Sequence, residues 1–373
     1  MSMVDRSLTS RIINALRFPC AIAVVLIHVF NFAPDVRPSS LFAVIEVALS
    51  HGLCRIAVPV FFFISGYLFF SRLKDWDWSV YFGKLRKRGK TLLVPYLLWV
   101  SLAILWLVAY HRLTHLVPGE GAVSLGQYLS DNGWGLMYWN CARHFQFFST
   151  TNILGWEMPS TFPYNYPLWF IRDLIVLCVF APVIHFAVRK TKGWILAVLY
   201  PLYLMNVWIP LDGFSPEGWF FFSLGAFLRL SGKDPVSTFR RFQIPSYVAL
   251  AVATVLCVLT YGSEGWPYAR CIITLPGLVA AFNLTANLLQ KGIVRDHAFL
   301  AECSFPVFAG HTVGLTTLTA ILFNKLFPEL TDFTRFLIFL LRPAIIIVII
   351  VAAFYLAKRF LPRTTALFTG GRS

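Results

Sequence analysis

The sequence predicts an all-α fold: a polytopic membrane helical bundle of about ten transmembrane helices, with both termini cytoplasmic. Three observations predict it. The 373 residues are 58% hydrophobic and 13% charged, with a mean hydropathy of +0.69, which is more apolar surface than a soluble domain of this length can hide. Apolar runs of about 20 residues, the length that crosses a hydrocarbon core, recur from end to end. Lysine and arginine gather in alternate short loops, the pattern of topology signals.

The spans are expected near 11–32, 53–71, 91–110, 166–187, 193–211, 217–231, 244–261, 267–290, 301–324 and 334–358. Arg6, Arg11 and Arg17 ahead of the first resemble a signal peptide, but no A-x-A site follows, so it is read as an uncleaved span. Segment 40–52 is read as a re-entrant or interfacial helix leading into the second. With the N-terminus inside, 22 of the 32 lysines and arginines are cytoplasmic, seven of them between Arg72 and Lys90. Only Arg37, Arg112, Arg143 and Lys325 fall in outer loops. Losing one span would invert every later loop.

Residues 1–373 read as one integral membrane domain without repeats. Its longest loop, about 111–165, is external and rich in aromatic and small polar residues, suited to interfacial anchoring or to stacking on sugar rings. The net charge of +15 would suggest nucleic acid in a soluble chain. Here the basic residues flank apolar runs, so membrane lipid is the implied partner and nucleic acid is not. The seven cysteines form no CxxC pair and are read as small buried side chains. There is no HExxH, His/Cys cluster or carboxylate cage for a metal, no P-loop and no GxSxG elbow.

Intramembrane ionisable groups normally face a polar cavity or a partner. In "RFPCAIAVVLIH", Arg17 and His28 lie eleven residues apart. At 100° per residue they share one helix face, offset by about 20°, with a rise of about 16 Å. A fixed cation near the cytoplasmic side and a group titrating near neutral pH deeper in suit one reaction at two depths. Arg55 and Arg172 are further intramembrane cations. Arg172 and Asp173, adjacent in "WFIRD" after Trp169, are either a neutralising pair or a wall of an outer site. Arg270, Arg335 and Arg342 complete the set, with Arg335 placed to snorkel. His311 lies mid-span and Glu302 near that span's cytoplasmic start. His185 is read as structural, and His51, His111, His115 and His144 as loop or interface residues. The basic loop "YFGKLRKRGKTLLVPYLLW", with Arg88 and Lys90, serves topology or holds phosphates.

Four blocks resemble the acyltransferase-3 superfamily of integral membrane acyltransferases. They are the arginine-x10-histidine of the first span, "CRIAVPVFFFISGYLFF", "RKRGKTLLVPYLLW" and "YPLWFIRDLIVL". A fifth, "CSFPVFAGHTV", is similar to the family's SFxxYxxH element but carries Phe308 and Ala309 at two usual positions. The resemblance implies transfer of an acyl group, usually acetyl, from cytoplasmic acetyl-CoA (acyl-CoA as co-substrate, with no permanently bound cofactor). The implied acceptor is a hydroxyl of a cell-surface, exported or lipid-linked glycan, and the implied location a bacterial inner membrane. It further implies His28 as general base, with a covalent acyl-histidine as a variant, and His311 as a second candidate. Arg17 would hold the donor, and Arg88 and Lys90 its phosphates. Ser65 is a candidate oxyanion stabiliser, although small residues in spans more often serve packing. The rival classes are a glycan or small-solute exporter, which needs no acyl donor, and a non-catalytic scaffold, which tolerates loss of Arg17 and His28.

Overall fold

The computed structural model describes residues 7–29, 38–73, 75–117, 123–141, 150–152, 154–158, 162–329 and 331–371. Arg6, Arg37, Lys74, Arg143, His144 and Arg372, which enter the charge pattern or the histidine inventory, lie outside them.

The fold is helical. Among the described residues six helical runs are long and apolar enough to cross a membrane: Leu8–Val29, Leu41–Phe69, Trp78–Thr114, Gln243–Thr260, Trp266–Gln290 and Asp332–Phe360. Two bent pairs raise the number to eight if each is one span. Tyr166–Val179 meets Ala181–Lys190 at 65°, and Ala298–Gly310 meets Leu315–Leu326 at 75°. The segments expected at 193–211 and 217–231 contain the shorter helices Ile195–Leu204 and Pro216–Leu230. The long loop, expected to be external, holds the short helices Leu125–Asn132 and Trp134–Met137 and a two-residue antiparallel ladder, Thr150–Thr151 with Glu157–Met158.

Two stretches differ from expectation. Segment 40–52 is not a separate element: helix Leu41–Val47 runs through a π-helical turn, Ala48–Gly52, and a 3₁₀ turn, Leu53–Ile56, into helix Ala57–Phe69. The basic loop is likewise helical, Trp78–Arg88, joined by a second π turn, Gly89–Leu93, to Val94–Thr114. Asp77 caps it, accepting from the backbone N–H groups of Ser79 at 2.7 Å and Val80 at 3.2 Å. The bonds from Val80 and Ser79 hold its carboxyl below the usual range.

The first helix, Leu8–Val29, stands at the centre, packed on helices Ala57–Phe69, Thr274–Gln290, Ala298–Gly310 and Asp332–Phe360. Its core contacts are Ile12, Leu16, Ala21, Val24 and Val25, all buried. Small residues set the closest helix contact. A Cβ on Gly66 would lie 2.1 Å from the Phe222 carbonyl oxygen, and one on Gly225 2.2 Å from that of Phe63. Helices Ala57–Phe69 and Pro216–Leu230 therefore touch backbone to backbone, as small residues allow in membranes.

Gly66→Ala is expected to destabilise the purified protein by about 1–3 kcal/mol, the usual cost of overpacking, read as a fall in thermal midpoint. Gly83→Ala, with nothing within 4 Å of the added carbon, serves as control and is expected to be neutral or slightly stabilising. Equal effects at the two positions would contradict the backbone contact.

Candidate functional site

The first helix carries His28 near its end, and the 75° break after Gly310 carries His311 to it. The break is built from local features. Gly314 adopts φ +78°, a conformation suited to glycine. The buried side chain of Asn165 donates to the Ala309 carbonyl at 3.0 Å and accepts from the Thr312 hydroxyl at 2.9 Å. Arg342 donates to the Thr316 carbonyl at 3.1 Å on the far side of the break. The Ala309 carbonyl at the bend is thus satisfied within the protein, as irregular backbone in a membrane requires.

His28 Nδ1 and His311 Nε2 are 2.8 Å apart, with 10° between ring planes and 5.1 Å between centroids. The centroid distance is that bond plus the two ring radii, so the rings meet edge to edge in nearly one plane. His311 Nδ1 lies 3.1 Å from the Val307 carbonyl oxygen. A carbonyl only accepts, so His311 Nδ1 carries a proton. In a neutral ring His311 Nε2 then accepts, and His28 Nδ1 donates to it; the bond network assigns both tautomers. The remaining nitrogen, His28 Nε2, keeps its lone pair and makes no hydrogen bond among the described residues. His311 is fully buried, whereas His28 is partly accessible. Tyr166 stands edge-on to His28, centroids 4.8 Å apart.

Arg55 lies in the irregular stretch between Ala48 and Ile56 that crosses behind the first helix, where the Ser50 hydroxyl donates to the Leu26 carbonyl at 3.4 Å. Its charge acts on His28. Three turns back along the first helix, near its middle, Arg17 is half-buried and feels the charge of Arg88, which the last turn of Trp78–Arg88 brings to it. Among the described residues neither makes an ion pair.

The structure therefore bonds His28 to His311, with Arg55 in electrostatic range of His28 and Arg88 in electrostatic range of Arg17. It keeps the other candidates apart. Lys90 is exposed in the π turn. Ser65 makes no hydrogen bond among the described residues and neighbours the packing Gly66. Trp169 packs on Phe62, centroids 6.1 Å apart. Glu302 pairs with Lys358 at 2.5 Å. Arg172 and Asp173 are 3% and 1% exposed and bonded to each other at 3.0 Å. Arg172 also donates to the Trp139 carbonyl at 2.7 Å, and Asp173 accepts from the Ser215 N–H at 3.2 Å. That pair ties the long loop to two helices. His185 sits against the Leu73 carbonyl at 3.1 Å, in keeping with a structural histidine. Asn165, Tyr166, His51, Glu217 and Arg270, not singled out as site residues from the sequence, stand at or near the site. Glu217, an acid at the start of an apolar segment, was the signal available there.

A family model described as an acyltransferase domain matches residues 11–358. The chain belongs to the acyltransferase-3 family. Succinoglycan biosynthesis protein ExoH of Rhizobium meliloti (strain 1021) is 26% identical over 382 residues, covering 99% of this chain and 94% of that one. No solved structure matches. This acyltransferase-3 protein is an integral membrane enzyme that transfers groups other than aminoacyl groups.

In this acyltransferase Arg172 and Asp173 are expected to act as a neutralising lock. Arg172→Leu alone, which strands a buried carboxylate, should cost about 3–5 kcal/mol, whereas Arg172→Leu with Asp173→Leu should recover much of it. Thermal unfolding of the purified variants measures this. A double variant no more stable than the single one would return the pair to the list of site residues.

Proposed function

We propose that this acyltransferase moves an acetyl group from cytoplasmic acetyl-CoA to a hydroxyl of a cell-surface, exported or lipid-linked glycan. The reading rests on one observation above all: the in-line bond between His28 and His311 leaves His28 Nε2 as the single open base of the pair. The glycan acceptor is supported by the relative named for succinoglycan biosynthesis. In the same proposal the shorter helices Ile195–Leu204 and Pro216–Leu230 count as spans. The bundle then has ten, with both termini in the cytoplasm of a bacterium and Arg17 and Arg88 at the cytoplasmic mouth.

The donor's phosphates pair with Arg17 and Arg88, and its extended thiol arm reaches the roughly 16 Å up the first helix to His28. His28 Nε2 takes the proton of the acceptor hydroxyl as that oxygen attacks the thioester carbonyl. The charge on the resulting imidazolium is shared along the chain from His28 Nδ1–H to His311 and from His311 Nδ1–H to the Val307 carbonyl. Collapse of the tetrahedral intermediate breaks the carbon–sulfur bond, and the proton on His28 passes to the leaving thiolate. His28 is restored neutral, with an acetyl ester and free CoA as products.

The test is transfer of labelled acetyl from acetyl-CoA by protein in nanodiscs. His28→Gln keeps polarity without the required proton acceptor and is expected to lower kcat by about 10²–10⁴ while still binding acetyl-CoA. Arg17→Gln and Arg88→Gln should raise KM for acetyl-CoA, and the Arg88 effect should shrink with added salt. Wild-type turnover in His28→Gln would place the base elsewhere. Glycan movement across vesicles without any acyl donor would favour an exporter.

A further inference from the structure

Beside His28 lies a second polar cluster that the acyl-transfer chemistry leaves unused. Arg55 Nη2 is 3.4 Å from His51 Nδ1. The His51 ring meets Trp266 edge-on at 5.3 Å, and Arg270 stacks over Trp266 at 5.2 Å. Tyr261 closes the group, 5.1 Å from Trp266 and 5.4 Å from His51. Two guanidinium groups are thus linked through a wall of aromatic rings. Arg55 Nε is buried with no hydrogen-bond partner.

The charge balance of the cluster is uneven. Glu217, in the first turn of helix Pro216–Leu230, acts electrostatically on Arg55 and feels both arginines. It forms no ion pair within 4.0 Å among the described residues. Asp173, whose charge acts on Glu217, is already bonded to Arg172 and Ser215. One carboxylate therefore faces two arginines, leaving an excess cation and an unused N–H donor. A buried charge without its partner is costly, and π turns such as Ala48–Gly52 are frequent at functional sites.

We infer that Arg55 and Arg270 form an anion subsite next to His28 that takes a carboxylate or phosphate group of the acceptor, while Trp266 and His51 flank its sugar ring. The inference deepens the glycan-acyltransferase proposal by making the acceptor acidic. Arginine suits such oxyanions through its fork of donors. Arg55 stands at His51 and Arg270 over Trp266, different members of one aromatic pair, which fits a standing charge on a sugar better than a transient oxyanion, which needs donors converging on one atom.

The test uses the whole protein in nanodiscs of neutral lipid and three probes. These are an oligosaccharide with one glucuronate, its carboxyl-reduced twin, and the neutral oligosaccharide on a polyprenyl diphosphate. Calorimetric binding and acetyl transfer are measured for each. Wild type is expected to bind an acidic probe about tenfold tighter than the reduced twin, the scale of one charge-assisted bond. The preference should vanish in Arg55→Gln and Arg270→Gln, survive in part in Arg270→Lys, and widen in Glu217→Gln. Preference for the glucuronate assigns the anion to the sugar, and preference for the diphosphate assigns it to the lipid linker. Equal binding of all three probes, or a preference that persists in both arginine-to-glutamine variants, overturns the subsite. Charge-selective binding without acetyl transfer would keep the subsite and remove the enzymatic proposal. Transfer without charge preference would do the reverse.

Discussion

Hydrocarbon cannot hydrogen-bond a peptide group, so a chain may leave the helix inside a membrane only where protein or a polar cavity satisfies the freed backbone. Three of the interruptions in this bundle surround His28. The stretch from Ala48 to Ile56 lies against the first helix through Ser50 and Leu26. The 3₁₀ turn Tyr166–Leu168 sets Tyr166 edge-on to the imidazole. The break after Gly310 supplies His311. Each would be costly alone. Together they brace one another, with Asn165 from the second joined to Ala309 and Thr312 at the third.

The same convergence separates two kinds of polar residue in the bundle. Arg172 with Asp173, and Glu302 with Lys358, are paired with each other and act as internal fasteners. His28, Arg55, Arg17 and Arg88 keep unused bonding capacity or unbalanced charge. Pairing status distinguishes a fastener from a site better than burial does, because Arg172 with Asp173 is buried while Glu302 with Lys358 is as accessible as His28 or Arg17. The first helix links the two unbalanced groups, Arg17 near its middle and His28 near its end, and its central position gives both a rigid support.

Much of this was legible in the sequence where helical period carries the information. The shared face of Arg17 and His28 follows from their spacing, and the long apolar runs from composition. The irregular turns were not legible, because π and 3₁₀ segments leave the hydrophobic pattern almost unchanged. Segment 40–52 therefore read as a re-entrant or interfacial helix leading into the second span, without the π and 3₁₀ turns through which it continues into Ala57–Phe69. The density of lysine and arginine made Trp78–Arg88 read as a loop, although Asp77 marks a cap and Trp78, Tyr81, Phe82 and Leu85 repeat at helical spacing. His311 was visible as an intramembrane histidine, but its partner was not. That pairing depends on a bend set by Gly314 and Asn165, residues of ordinary type whose role exists only in three dimensions. His51 read as an interface residue because the turn that buries it was not foreseen.

The central claim is that His311 holds His28 as the Nδ1–H tautomer and leaves Nε2 open. Nitrogen-15 NMR of histidine-labelled protein tests it most directly, with His28→Gln and His311→Gln spectra assigning the signals among the eight histidines. The account requires a protonated His28 Nδ1, a scalar coupling from it to His311 Nε2 through the hydrogen bond, and an unprotonated His28 Nε2 at neutral pH. A His28 ring protonated on Nε2, with no coupling to His311, would contradict it.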